Sequence, residues 1–207
     1  MTSFPRKKAS PVRSLSKEDW IAAATELLIG KSADEIRVES LAKQLRITTG
    51  SFYYHFKDRG DLLAQVLESW RESATAQIIR QLELAHAAPR QIVEDMLALP
   101  FHGHAARRAS MIELSVRVWG RQDEAAQRVI SDVDAQRLAY AEQCFRALGC
   151  SSAESKGRAF SLYGYLISQS MLWHIGDTKQ KKDLLAHTRK LLLDDLPAIE
   201  QINRNAR

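Results

Sequence analysis

The stretch LRITTGSFYYHF (residues 45–56) packs four aromatic rings and a histidine behind a small polar cluster. Which rings are core and which face outward decides the fold. On a helix that starts at Thr48 or Thr49, at about 100° per residue, Phe52 and Phe56 fall together, one turn apart. They can fill a small core with Leu41, Leu45 and the helix ahead of them. Gly50, Ser51, Tyr53 and Tyr54 spread over the other side, with Thr49 and His55 at the boundary. A second short helix is expected from about Val38 to Leu45, with Val38, Leu41, Ala42 and Leu45 inward. Only "RIT" separates the two. That is the length of a helix-turn-helix corner, in which the second short helix is the reader.

The outward residues suit a nucleic-acid partner. A tyrosine hydroxyl can donate to a phosphate oxygen, and its ring can lie on a sugar or a thymine methyl. Gly50 lets a helix approach a duplex closely. Thr48 and Thr49 sit at a helix N-terminus, where free N–H groups favour phosphate. Lys57 and Arg59 follow at once and add cations. The bland alternative is an amphipathic surface with no partner; the corner length, the Thr pair and the cations stand against it.

Outward from this motif, helical periodicity is nearly continuous and strand signals are scarce, so the chain reads as all-α with about nine helices. Ser16 is a good N-cap for a first helix with Trp20, Ala23, Ala24, Leu27 and Leu28 on one face, ending at Gly30. A long fourth helix starts near Asp58 and carries Leu62, Leu63, Val66, Leu67, Trp70, Ile78 and Leu82 to about Ala87. Pro89 opens a fifth helix, and "FHGH" is a break. A sixth is expected from about Arg107 to Trp119, a seventh from Asp123 to Gly149, an eighth from Ser151 or Ser152 to about Ile175, and a ninth from Lys179 to about Leu196. Three regions result: a basic, flexible arm (residues 1–14), a helix-turn-helix DNA-binding domain (15–63, motif about 37–56) and a larger C-terminal domain (64–207).

Composition agrees with this division. The net charge of +5 is concentrated in the arm, where Arg6, Lys7, Lys8 and Arg13 meet no acid. Such an arm suits an anionic partner, or is simply a solvated terminus. No apolar run approaches the roughly 18 residues of a membrane span, and the N-terminus lacks the apolar core of a secretory leader. A cytoplasmic protein without membrane contact is expected. Cys144 and Cys150 fit neither a zinc site nor a CxxC pair. His102 and His104 lack the Cys or carboxylate partners of a metal site, so no metal and no cofactor are expected. No Ser-His-Asp order, HExxH, P-loop or GxGxxG appears, which argues against an enzyme.

"LAKQLRITTGSFYYHFKDRGDLL", with "EDWIAAATELLIGK" ahead of it, resembles the tetracycline-repressor (TetR) family of transcriptional regulators. Gly50, Tyr53, Tyr54, His55, Phe56 and the Leu62-Leu63 pair fall in register with the family pattern over about a quarter of the chain. The resemblance implies a homodimeric regulator, a repressor that a small molecule releases from a near-palindromic operator in double-stranded DNA. An activator, or an effector-independent nucleoid-type protein, is the alternative. It also implies phosphate and base contacts by Thr48, Thr49, Gly50, Tyr53, Tyr54 and His55, a base contact by Ser51, and a phosphate contact by Arg59. There are departures. Arg46 stands where the family has a turn glycine, Arg37 near a capping threonine, and Gly60 at a glutamate. Arg37 and Arg46 are therefore added to the expected DNA contacts, with Lys57.

Beyond about residue 70 the resemblance is weak. A pocket among helices four to eight is the family expectation for an unidentified small-molecule effector. Candidate liners are Met96, Phe101, Met111, Trp119, Tyr140, Tyr163 and Trp173, with Glu113 and Arg117, one turn apart, as polar anchors; ordinary core packing is the competing reading for each apolar one. In the eighth helix Gly157, Ser161, Gly164 and Ser168 form a small-residue stripe, and the ninth offers Leu184, Leu185, Leu191 and Leu192. These are the candidate dimer interface; packing within one chain is the alternative.

Overall fold

The computed structural model describes residues 15–85, 88–101 and 103–196. The arm over residues 1–14, the end of the fourth helix at Ala87, and His102 lie outside the described residues. Within them the chain forms nine α-helices and no strand. These are α1 (Lys17–Gly30), α2 (Val38–Leu45), α3 (Thr49–His55), α4, α5 (Pro89–Ala98), α6 (Gly103–Gly120), α7 (Glu124–Ala147), α8 (Ser152–Met171) and α9 (Thr178–Leu193). α4 opens as Arg59–Arg71, passes through a π-helical segment at Glu72–Ala76 and continues as Gln77–Ala85.

Local chemistry explains the starts. Ser16 accepts from the Asp19 N–H while the Asp19 carboxylate takes the Ser16 N–H at 2.8 Å, a reciprocal cap. Ser151 with Glu154, and Asp177 with Gln180, repeat the device ahead of α8 and α9. Asp58 and Asp123 cap α4 and α7 through single side-chain bonds. Pro89 stands in the first turn of α5, where a missing N–H costs nothing.

The turn between α2 and α3 is sharp. Arg46 has φ 58° and ψ 42°, in the left-handed region. Its N–H donates to the Lys43 carbonyl at 3.2 Å, and the Ile47 N–H to the Ala42 carbonyl at 3.0 Å. This pair of bonds is the Schellman closure. α7 ends by the same closure at Gly149, φ 91°, with bonds from Gly149 to Arg146 and from Cys150 to Phe145. One closure uses glycine; the other forces a side chain into the same region.

Two cores hold the helices together. The first joins Trp20, Leu28, Leu41, Phe52, Phe56 and Leu62 to Val66 and Trp70 of α4, Val116 and Trp119 of α6, and Ile130 and Val133 of α7. It runs through the domain boundary expected near residue 63. The second joins Leu82 with Val93 and Leu97 of α5, Phe145 and Leu148 near the end of α7, Leu162 of α8, and Leu192 and Leu193 of α9. α4 and α7 thread both. Gly120 leaves room for Ile130 at the α6–α7 turn: a Cβ there would lie 2.3 Å from the Ile130 Cδ1.

Several boundaries move. α6 begins at Gly103 (φ 70°), about a turn before Arg107, because alanines at 105 and 106 continue it. α8 stops at Met171, short of Ile175, and α9 at Leu193. The π segment has no proline or glycine to announce it.

Replacing Arg46 by glycine should remove the left-handed strain and stabilise the chain by about 1 kcal/mol, read as a higher urea midpoint with an unchanged slope. An unchanged midpoint would show that the turn carries no strain.

Candidate DNA-reading face and ligand cavity

The reading face is built from beneath. Phe52 is fully buried, with Trp20 edge-on at 5.3 Å between centroids and Phe56 stacked at 5.2 Å. With that side anchored, α3 presents Tyr53 and Tyr54, 64% and 86% exposed, to solvent. Thr48, Thr49 and Gly50 are exposed beside them, and Ser51 is half-buried. Thr48 is the N-cap of α3 but makes no side-chain capping bond. A Cβ on Gly50 would meet only the Thr48 hydroxyl, at 3.7 Å, so that side is open. Arg37, Arg46 and Lys57 are exposed, as is Lys43 on α2, a cation not singled out in the sequence.

Two of the expected contact residues also have structural work. The Arg59 guanidinium donates to the Ile36 carbonyl at 2.7 Å and to the Ala33 carbonyl, which straps the start of α4 to the turn ahead of α2. Beside the phosphate role expected of it, Arg59 thus has a structural one: Nε and Nη2 are engaged here, while the side chain stays 38% exposed. His55 is half-buried, and its Nε2 donates to the Leu15 carbonyl at 3.0 Å. A carbonyl only accepts, so that nitrogen carries the proton. His55 thus ties the entry of α1 to the reading helix, rather than presenting its ring to solvent.

Between α4, α5, α6, α7 and α8 lies a cavity of about 510 Å³. Met96, Glu113, Tyr140 and Tyr163 are on its wall. The other candidates are not. Trp119 belongs to the first core, and Arg117 sits behind the wall. Met111 points to solvent, 38% exposed. Phe101 gives way to Leu99 and Pro100, and Trp173 lies past the end of α8 with the Arg107 guanidinium 4.0 Å from its ring centroid. The sequence reading missed Trp70, Thr75, Ile78, Arg137 and Leu166, which also line it. Hydrophobic periodicity marks Trp70 and Ile78 as inward but cannot say that inward means a cavity.

A charge network closes one side. Glu113, only 7% exposed, takes Arg117 Nε at 2.8 Å and both terminal nitrogens of Arg137 at 3.1 Å. Arg117 also donates to Asp134 at 2.7 Å and to the Tyr163 hydroxyl at 2.8 Å, and Tyr163 donates to Asp134. Arg137 reaches the Ala74 carbonyl in the π segment at 3.0 Å. Burial alone would raise the Asp134 carboxyl, but bonds from Arg117 and Tyr163 outweigh it and hold it below the ordinary carboxylate value. Burial pushes the Tyr163 phenol up to about 12. Neither cysteine is bonded, and burial raises the Cys144 thiol to about 11, which keeps it unreactive.

A short, internally anchored helix offering two exposed tyrosines behind a tight corner, joined to a helical body with a cavity, defines a helix-turn-helix DNA-binding regulator. Residues 21–66 match the family model for bacterial regulatory proteins of the tetR family. The fold is shared with a tetR-family regulator from Mesorhizobium loti (TM-score 0.66, 18% identity, covering 92% of this chain and 100% of that one). It is shared with a transcriptional regulator from Rhodococcus sp. Rha1 (0.69, 14%, 89% and 100%), and with FadR from Bacillus subtilis in complex with stearoyl-CoA (0.62, 14%, 86% and 98%). No curated protein matches the chain in sequence. Over residues 21–66, then, the chain is similar to the DNA-binding domain of the tetR family, and beyond them the likeness is one of fold. No helix among the described residues is long and apolar enough to cross a membrane.

A Tyr53→Ala, Tyr54→Ala double variant should keep its melting temperature, since both rings are exposed, and lose most of its DNA affinity in a gel shift; undiminished binding would overturn the reading face. Phe52→Ala should instead cost about 3–5 kcal/mol of stability, read by urea denaturation. The depressed Asp134 carboxyl adds stability above its unfolded value, near pH 4, and loses it as the pH falls through the folded value. Asp134→Asn should therefore be less stable than the parent at pH 6, with a gap that shrinks on acidification; a constant gap would show that ionisation is irrelevant there.

Proposed function

We propose that the chain is a ligand-released repressor that binds a near-palindromic operator as a homodimer, with an effector in the cavity. The observation that carries this reading is the sharing of α4 and α6 between the reader and the cavity. The first half of α4 buries Leu62, Leu63 and Val66 in the reader's core, and its π segment lines the cavity. α6 lines the cavity too, and its Arg108 pairs with Glu26 of α1 through Nε at 2.8 Å. A molecule that changes how α4 and α6 pack must also move the reading helices. It releases DNA only if it binds the non-binding arrangement more tightly. The stearoyl-CoA held by the B. subtilis FadR supports the effector reading.

The dimer reading rests on an unpartnered face. Gly157, Ser161, Gly164 and Ser168 of α8 are exposed, flanked by Phe160 and Met171 at 71% and 57%. Leu184 and Leu191 of α9 are 46% and 67% exposed. Leu192 is removed from this face, since it is buried in the second core, and half-buried Leu185 packs against that core. Small residues let a second helix come close while large apolar neighbours supply area, and exposed patches of this kind mark interaction surfaces. Two reading helices on such a dimer would fall about 34–36 Å apart or a small multiple of that, one duplex turn.

A Cβ at Gly157 or Gly164 meets nothing within 4 Å. Gly157→Leu, Gly164→Leu should therefore fold normally, sediment as a monomer and lose operator affinity; a dimer of unchanged affinity would move the interface elsewhere. Binding to the chain's own upstream region should survive salt that removes random DNA. Sequence-independent binding that vanishes with salt would favour the nucleoid-type reading.

A further inference from the structure

The cavity wall carries an excess of unsatisfied polar groups. Six buried side-chain polar atoms among the described residues have no hydrogen-bond partner. Three belong to wall residues: Trp70 Nε1, the Thr75 hydroxyl and the Tyr140 hydroxyl. Thr75 is 1% exposed and Trp70 4%. Thr75 is also unusual for a helical hydroxyl here. Ser73, Ser110, Ser170 and Thr188 each donate to the carbonyl four residues back. Thr75 lies in the π segment and does not. Buried polar groups are nearly always paired, so this cluster is where a partner would be gained once the wall gives way around an entering molecule.

The wall also says what that partner is not. Its buried ions, Glu113 and Arg137, are bonded to each other, and the Arg117–Asp134 pair behind them cancels in charge. Arg108, at the rim, is engaged by Glu26. No uncompensated charge is left to receive an ionic head, and burying one without a counter-charge is costly. Apart from Ser73, Ser110 and Ser170, whose hydroxyls donate to backbone carbonyls, the remaining wall is apolar, with Ile78, Leu82 and Ile167 on it. An indole N–H can only donate, so its partner must carry an acceptor.

Deepening the effector reading, on which this rests, we propose that the cavity binds an uncharged, mostly apolar molecule whose carbonyl or ether oxygen accepts hydrogen bonds from Trp70 of α4 and from Thr75 in the π segment just beyond it. A cavity of about 510 Å³ is of a size that holds such a ligand whole. Tyr140 lies one turn beyond Arg137 on α7 and is placed to meet a second polar group further along.

The test is calorimetry on the intact protein with four matched probes: 2-undecanone, undecanoate, undecyltrimethylammonium and hexylbenzene. The ketone should bind tightest. Thr75→Val, nearly isosteric, should weaken the ketone by roughly three- to tenfold, as one lost hydrogen bond does, and leave hexylbenzene unchanged. Thr75→Ala removes the same hydroxyl and serves as the second variant, with the same expected losses, if Thr75→Val does not fold. Tighter binding of either ion, equal losses for ketone and hydrocarbon, or no binding by any probe would overturn the proposal. Gel shifts with the same probes separate the two readings. An ion that binds best and releases DNA overturns the ligand class alone. A ketone that binds as expected and leaves the DNA complex intact overturns the effector reading alone.

Discussion

The burial of Phe52 between Trp20 and Phe56 is the contact from which the rest of the reader is organised. It is one ring on a seven-residue helix, and α3 has almost no other means of staying helical in place. An isolated helix of that length is unstable in water, so its order comes from tertiary packing. Because Phe52 faces inward, Tyr53 and Tyr54 cannot. Arg59 completes the frame from the other side by bonding the carbonyls of Ala33 and Ile36, which fixes the chain ahead of α2 against the start of α4. The reader is thus anchored at its base and polar at its face.

α4 carries that order into the body. Its first half is core to the reader, and its second half reaches the other core through Leu82. Between them sits the π segment, where Ala74 turns its carbonyl to Arg137 and Thr75 keeps a hydroxyl unbonded. An extra residue in a helical turn displaces the regular ladder, and such bulges gather at functional sites. Here the irregular turn lies on the cavity wall, at the midpoint of the helix joining the two cores. The Glu113–Arg137–Arg117–Asp134–Tyr163 network braces the same turn from α6, α7 and α8. Trp70, just before this turn, and Thr75, within it, both keep buried polar atoms unbonded.

Much of this was legible in the residues, and the failures are instructive. Ser16, Asp58, Pro89 and Ser151 mark helix starts because their chemistry acts within a few residues. The inward and outward rings of α3 follow from a 100° period. Arg46 was marked as a misfit in its turn, and its left-handed backbone is the reason. What the residues do not show is a partner that is distant in sequence. Arg59 and His55 resemble surface cations and ring contacts until the backbone carbonyls of Ala33, Ile36 and Leu15 are brought beside them. Trp119 and Leu192 are apolar residues on apolar faces, and nothing local separates core from cavity wall or from interface.

The sequence by itself determined the all-α class, the nine helices, the corner between α2 and α3 and the two-sidedness of the reading helix. These depend on periodicity, caps and turn chemistry, which act over one or two turns. Tertiary structure alone decided that the reader's core extends into α6 and α7, that the cavity is walled by Thr75 and Arg137 as well as Glu113, and that α4 is broken into a π turn. Those features depend on which helices meet, and a helix carries no record of its neighbours beyond the width of its apolar face.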